Sequence, residues 1–147
     1  MTAGAVASSA SSRVIGEYRP ILRGVIPVPS INDVPTLSGG AQLPSSLQRV
    51  YLVFLYRGPA YVGTPQTPAE RAVVDGHAAY VWDLYQRGIA IAAGPVLGGA
   101  EPAELVSMSV LRAQTAAEAE RLAFLDPAVQ SGRFRAVLRP WLLPAGV

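Results

Sequence analysis

The side chain best suited to chemistry is His77, the single histidine among 147 residues. An imidazole changes its protonation near neutral pH, so it can take a proton from a substrate and return it. Apolar residues recur around His77 at steps of three and four, which places it on the apolar face of a predicted helix. These residues are Val73, Tyr80, Val81 and Leu84. We therefore expect the ring to point inward, either as a proton-transfer group or as a core histidine bonded to a backbone carbonyl.

Asp126 is the second candidate, because it continues the apolar face of a later predicted helix that carries Leu122 and Ala123. Its carboxylate is expected to face inward, although an aspartate before Pro127 is also a common helix N-cap. The two roles are compatible. A carboxylate that accepts a hydrogen bond from one nitrogen of His77 fixes the tautomer and leaves the other nitrogen to move a proton. Such a pair performs acid–base catalysis without a cofactor, and we expect none.

Four further residues are predicted to bind a substrate, each with an ordinary structural alternative. Arg57 could hold an anionic group or be a surface charge. Tyr80 could line a pocket or pack in the core, and Ser109 could line a cavity or face solvent. Gly94, which precedes Pro95, fits the end of a strand. It is not part of a phosphate loop, because the chain contains no lysine.

Capping residues and periodicity predict the elements that position these groups. The pair Thr67 and Glu70 forms a capping box that begins the first helix, and Thr115 with Glu118 begins the second. Gly88 ends the first helix. Apolar or alternating runs predict strands over 50–56, 89–93, 105–112 and 134–143. The order strand, helix, strand, strand, helix, strand is that of a ferredoxin-like α+β fold, with four antiparallel strands and both helices on one face.

The first strand is apolar on both faces, which affects the expected assembly. Tyr51, Val53 and Leu55 point to one face, whereas Leu52 and Phe54 point to the other. Because two helices cover only one face of a four-stranded sheet, the opposite face needs another cover. We predict a homodimer in which a second copy of the sheet is that cover. The alternative cover for this face is the N-terminal arm.

The chain divides into an N-terminal extension, residues 1–48, and a folded domain, residues 49–147. Its first dozen residues are rich in alanine, serine and glycine and are expected to be disordered. Residues 13–49 combine five prolines with many apolar side chains. We expect an extended arm that lies on the folded domain or on a partner subunit, with a poorly ordered leader as the alternative.

The composition argues against several classes of function. All twelve basic residues are arginine, the net charge is only +2, and these arginines are scattered rather than gathered into a nucleic-acid-binding patch. With no cysteine and one histidine, a thiolate or histidine-rich metal site is not expected. No apolar run approaches the roughly 20 residues that span a membrane, and the N-terminus is a poor signal peptide. We expect a cytoplasmic protein that binds neither nucleic acid nor membrane.

From about Tyr51 to Trp141 the sequence resembles the YciI-like (YCII-related) proteins of the dimeric α+β barrel superfamily. The matching pieces are the aliphatic first strand, the His77 helix, Ala93-Gly94-Pro95, Asp126-Pro127-Ala128-Val129 with Ser131-Gly132, and a last strand that ends near Pro140-Trp141. The resemblance implies a ferredoxin-like homodimer in which His77 and Asp126 form a dyad. Some similar proteins are cofactor-free enzymes that act on small cyclic or aromatic molecules. The long N-terminal extension departs from the family pattern and could reach over the site as a lid.

These observations predict a cofactor-free lyase or isomerase that performs dehydration, dehydrohalogenation or cyclisation of a small molecule, in secondary-metabolite or aromatic-compound metabolism. His77 would transfer the proton, Asp126 would orient it, and the arm would exclude water. The alternative is a non-catalytic dimeric ligand-binding or regulatory module in which His77 is structural. A further alternative is an accessory subunit whose arm is the functional part.

Overall fold

The computed structural model describes residues 22–26, 47–97 and 105–145, which form five strands and three helices. The strands are β1 (Val25–Ile26), β2 (Leu47–Arg57), β3 (Ala90–Pro95), β4 (Leu105–Leu111) and β5 (Phe134–Pro144). The helices are α1 (Pro68–Gln86), α2 (Ala116–Phe124) and α3 (Pro127–Gln130). Most of the N-terminal extension, including the part predicted to be disordered, lies outside the described residues.

Helix α1 begins as its sequence predicts. The Thr67 hydroxyl accepts a hydrogen bond from the Glu70 backbone N–H at 3.2 Å, and the Glu70 carboxylate accepts one from the Thr67 N–H at 3.0 Å. Hydrogen bonds from the backbone of Gln66 and Thr67 lower the pKa of the Glu70 carboxyl. The helix ends before Gly88, whose φ of +68° lies in the region that favours glycine. None of the described helices is both long and apolar enough to cross a membrane.

The capping box predicted for α2 is only half formed. Thr115 accepts from the Glu118 N–H at 3.1 Å, as expected. The Glu118 carboxylate, however, accepts from the N–H of Gln114 at 2.8 Å rather than from that of Thr115. The side chain reaches one residue further back, and a free backbone donor at the helix start is satisfied in either arrangement.

The sheet has the strand order β1-β5-β2-β4-β3. Strands β2 to β5 pair antiparallel in the order expected of a ferredoxin-like fold. The prediction of a four-stranded antiparallel sheet is nevertheless wrong, because β1 adds a fifth strand that runs parallel to β5. The fold of the described residues is therefore α+β with a mixed sheet.

Strand β1 comes from the segment that the sequence predicts to be an extended arm. Its backbone enters through Gly24, whose φ is +78° and whose carbonyl accepts from the Ala136 N–H at 2.8 Å. Val25 is buried in the core beside β5. Two residues are too few for periodicity to reveal a strand. Residues 22–26 of the arm lie on the folded domain, residues 47–49 begin β2, and the other residues of the arm fall outside the described ones.

The core lies between the sheet and its helices. Tyr51, Val53 and Leu55 of β2 are buried on the face that packs against the helices, together with Leu84 of α1 and Leu122 of α2. Leu84 is the one buried residue of α1. In its second half, from His77 to Tyr85, this helix borders an open cavity, and the candidate site lies beside that cavity.

Candidate active site

His77 lies in the middle of α1, and its Nδ1 is 2.7 Å from Oδ2 of Asp126. A carboxylate only accepts hydrogen bonds, so Nδ1 carries the proton and donates it. The Phe134 ring meets the imidazole edge-on, with 5.3 Å between the ring centroids, and supports its orientation. Because Nδ1 is committed to Asp126, Nε2 is the nitrogen that remains for a bound molecule.

Asp126 is held by the start of α3. Its Oδ1 accepts from the Ala128 N–H at 2.8 Å and caps this short helix, while Oδ2 faces His77. The cap and the inward-facing carboxylate, which the sequence leaves as compatible roles, therefore both occur on one buried side chain. Helix α3 packs closely against α1 at Gly76, where an added Cβ would lie in ordinary van der Waals contact with the ring of Pro127, at 3.4 Å.

His77 borders an open cavity of about 840 Å³ between α1 and the β3–β4 edge of the sheet. Its volume lies within the usual range for small-molecule sites. From α1 the wall receives His77, Ala78, Val81, Trp82 and Tyr85. Residues 91–95 of β3, Val106 and Ser107 of β4, and Phe134 of β5 complete it. The wall is thus mostly apolar and aromatic.

The cavity offers few polar groups. The Ser107 hydroxyl donates to the Gly94 carbonyl at 2.8 Å and links β4 to β3 at the cavity wall. Among the described residues that line it, there is neither an arginine nor a carboxylate. Nor do any three His, Asp or Glu side chains of the described ranges group closely enough to hold a metal ion. A strongly anionic molecule would find no cationic side chain in this wall other than a protonated His77.

The structure separates the four residues predicted to bind substrate. Gly94 lines the cavity. The Arg57 guanidinium instead lies 4.8 Å from the ring centroid of Tyr61, and Arg57 is not among the lining residues. Tyr80 and Ser109 border a narrower space of about 30 Å³ inside the core. For Arg57, Tyr80 and Ser109, substrate binding stays a prediction that the cavity geometry does not support.

Several cavity residues are absent from the set predicted to bind substrate. Trp82 and Tyr85 are 62% and 50% exposed, and their rings stack at 5.7 Å between centroids. An aromatic pair one to two turns beyond His77, beside the apolar face, was the available signal. Phe134 gives no local signal, because it reaches His77 only through the folding of β5 beside β2. Ser107 lies two residues before Ser109, so strand alternation places both serines on one face of β4 and was the available signal for Ser107.

The fold and the site define a class: an α+β domain with a His–Asp pair beside a cavity of small-molecule size. Residues 50–141 match the YCII-related domain. The match spans more than half of the chain, and the protein belongs to the YCII-related family. The resemblance noted in the sequence is thereby confirmed. No curated protein shows a significant match to the chain.

Among solved structures, one similar chain is the 5-chloro-2-hydroxyhydroquinone dehydrochlorinase TftG from Burkholderia phenoliruptrix AC1100, in complex with 2,5-dihydroxybenzoquinone. The two chains are 19% identical, the alignment covers 63% of this chain and 92% of that chain, and the TM-score is 0.43. A likeness this distant does not carry that protein's reaction or ligand over to this chain.

Proposed function

We propose that this protein is a cofactor-independent enzyme, a lyase or isomerase, that acts on a small molecule by acid–base catalysis. One observation carries the proposal: the 2.7 Å contact between His77 and Asp126 lies beside a cavity of about 840 Å³. An imidazole that donates through Nδ1 to a carboxylate keeps a basic Nε2 for a bound molecule. An imidazole that donated to a backbone carbonyl instead would lack the carboxylate that stabilises its protonated form.

In the proposed reaction the imidazole works through Nε2. It takes a proton from a carbon of the substrate, and Asp126 stabilises the resulting imidazolium through Nδ1. In an elimination, the electron pair of the broken C–H bond forms a double bond while a halide or a hydroxyl group leaves. The imidazolium gives its proton to the departing hydroxyl or, after halide loss, to water. In an isomerisation or cyclisation the proton returns at a different atom. No step requires an electron acceptor.

The cavity wall supports a neutral cyclic or aromatic substrate. Trp82 and Phe134 offer flat rings, and the aliphatic lining residues offer apolar contact to a bound molecule. A carboxylate or phosphate substrate would have to lose its water without gaining a cationic partner, which is unfavourable. We propose that such a substrate belongs to aromatic-compound or secondary metabolism in the cytoplasm. Recovery of the native protein with a membrane fraction would contradict that location.

Deuterium exchange tests the proposal, because it detects proton transfer whatever reaction follows. Wild-type protein and a His77→Gln variant are incubated in D₂O with neutral cyclic ketones, dihydroxybenzenes and chlorinated dihydroxybenzenes. Carbon-bound deuterium and chloride release are then measured. We expect wild type to label or convert at least one compound, and His77→Gln to do so at least about 100-fold more slowly.

Asp83→Asn is the matched surface control, since Asp83 is exposed on the same helix and pairs with Arg87 at 2.9 Å. We expect this variant to keep wild-type rates. Calorimetry measures whether the same compounds bind. If wild type binds a compound tightly but neither labels nor converts any member of the panel, the catalytic proposal is wrong and the protein is better described as a ligand-binding module.

We also propose a homodimer that forms through the sheet face opposite the helices. Leu52 and Phe54 lie on this face, and Phe54 pairs with Met108 on one side and Val137 on the other, so apolar side chains continue across three strands. Trp141, further along β5, is 44% exposed. Burying such a face against a second copy removes apolar surface from water. Sedimentation equilibrium should give a dimer that Trp141→Glu weakens, whereas a wild-type monomer at every concentration would contradict this proposal.

A further inference from the structure

Tyr80 does not line the cavity, yet its hydroxyl makes a specific contact near the dyad. The Tyr80 hydroxyl donates to the backbone carbonyl of Leu122 at 2.8 Å. Leu122 lies in the last turn of α2, where carbonyl groups have no partner within the helix. The N–H of Asp126 would be that partner if the helix continued, but it donates to Ala123 instead, at 3.4 Å. Tyr80 thus supplies a donor that the helix itself does not.

This contact joins the same two segments of chain as the dyad does. His77 and Tyr80 are one turn apart on α1 and share a face. Leu122 and Asp126 are four residues apart, at the end of α2 and the start of α3. The two hydrogen bonds, at 2.7 Å and 2.8 Å, therefore act as neighbouring links between α1 and the α2–α3 junction. Removing one of these hydrogen bonds leaves the α2–α3 junction freer to shift relative to α1, and the remaining hydrogen bond is then less precisely positioned.

The chemistry of the phenol suits a permanent donor. Burial and, secondarily, the negative charge of Asp126 raise the pKa of Tyr80 to about 12. The hydroxyl therefore keeps its proton throughout the neutral range and cannot itself act as a base there. Tyr80 is not among the described residues that line the cavity of about 840 Å³, so a substrate in that cavity would not contact Tyr80.

We propose that Tyr80 is a positioning residue for the His77–Asp126 pair, acting through the Leu122 carbonyl. By fixing the end of α2 against α1, it sets the distance and angle at which Asp126 meets the imidazole. Its effect on turnover rests on the proposed function, but its effect on the dyad does not and can be measured without a substrate.

The test compares Tyr80→Phe, which removes the hydroxyl and keeps the ring, with wild type. Because His77 is the single histidine, selective ¹⁵N-histidine labelling gives one pair of ring nitrogens in the NMR spectrum. In wild type we expect one tautomer, protonated on Nδ1. In Tyr80→Phe we expect a mixture of tautomers and faster exchange of the Nδ1 proton with water. Tyr51→Phe is the matched control, because Tyr51 is buried in the same core on β2 and takes no part in either link.

The outcomes separate this inference from the proposed function. If Tyr80→Phe is folded and its His77 spectrum is that of wild type, the positioning role is wrong. If the spectrum changes as described, the role stands even when no deuterium exchange is found in wild type, a result that would count against the enzyme instead. Where wild type is active, we expect kcat to fall about tenfold, the size expected from one lost hydrogen bond, with KM unchanged. A change in KM alone would overturn the positioning role in catalysis. Tyr80→Met, which fills the space without a donor, gives the same readout if Tyr80→Phe folds poorly.

Discussion

Replacing Asp126 by asparagine should reverse the tautomer of His77 while leaving the fold almost intact. In the wild type, Oδ1 of Asp126 accepts from the Ala128 N–H and Oδ2 accepts from His77. An asparagine that keeps the cap must place its carbonyl oxygen on Ala128, so its NH₂ group faces Nδ1 of His77. Nδ1 must then accept, and the proton moves to Nε2. Nε2, the nitrogen that remains for a bound molecule, thereby loses its basic lone pair.

The magnitudes follow from the two bonds. Losing both in Asp126→Ala should cost about 3 kcal/mol of unfolding free energy, from roughly 1 for the cap and 2 for a charge-assisted hydrogen bond. Asp126→Asn keeps the cap and a neutral bond, so its cost should be about 1 kcal/mol. Asp83→Asn breaks an exposed pair with Arg87 and should cost no more than about 0.5 kcal/mol.

Urea unfolding and ¹⁵N-histidine NMR measure the two parts of this prediction. Asp126→Asn should show Nε2 protonated and Nδ1 bare, the opposite of wild type, with catalysis lowered by at least about 100-fold where activity is found. Two results would refute the reasoning. One is an Nδ1-protonated ring in Asp126→Asn, and the other is an equal loss of stability in Asp126→Asn and Asp126→Ala.

Three further predictions concern other parts of the molecule. Gly58→Ala should lower the unfolding free energy by roughly 1–3 kcal/mol in urea melts, because the new methyl overlaps the Gly132 carbonyl oxygen. Gly94→Ala, whose methyl meets nothing within 4 Å, should lower it far less. Equal losses in the two variants would contradict this prediction. The pKa of Tyr80 is raised from 10.0 to about 12, so the stability it contributes is present below pH 10 and is lost as pH rises through 12. The stability advantage of wild type over Tyr80→Phe should therefore shrink in that alkaline window, and a constant difference in alkaline urea melts would contradict it. Trp82→Ala should weaken binding of a neutral aromatic ligand about tenfold by calorimetry, with the melting temperature unchanged because Trp82 is 62% exposed; unchanged affinity would place the ligand elsewhere.

The central pair of the site could be located from local sequence rules. Helical spacing places His77 on the inner face of α1, and the Asp-Pro step both caps α3 and continues the inner face of α2. These signals act over four residues or fewer, and tertiary packing did not override them. The expected fold, with both helices on one face of the sheet, indicated that the two side chains could meet, and the family resemblance supported the pairing. The structure places them 2.7 Å apart.

The parts that sequence reasoning missed depend on contacts between distant segments. Strand β1 forms because two residues pair with β5, and no local pattern of that length distinguishes a strand from an arm. Arg57 is the last residue of β2, and the turn beyond it brings Tyr61 under its guanidinium, so the charge is used there instead of in the cavity. Whether Tyr80 packs, binds or positions could not be read from α1 alone, because its partner is a backbone carbonyl on another helix.

The claim that Nε2 of His77 transfers the proton is tested most directly by a crystal structure of the protein with a panel compound bound in the cavity. The distance to measure runs from Nε2 to the reacting atom of the compound. That atom is the carbon whose hydrogen exchanges with solvent, or the oxygen of the hydroxyl group that leaves. The account predicts about 3–3.5 Å, with Nδ1 still bonded to Asp126. A compound bound in the cavity while Nε2 is taken up by a backbone carbonyl, or while the imidazole has turned away from Asp126, would contradict it.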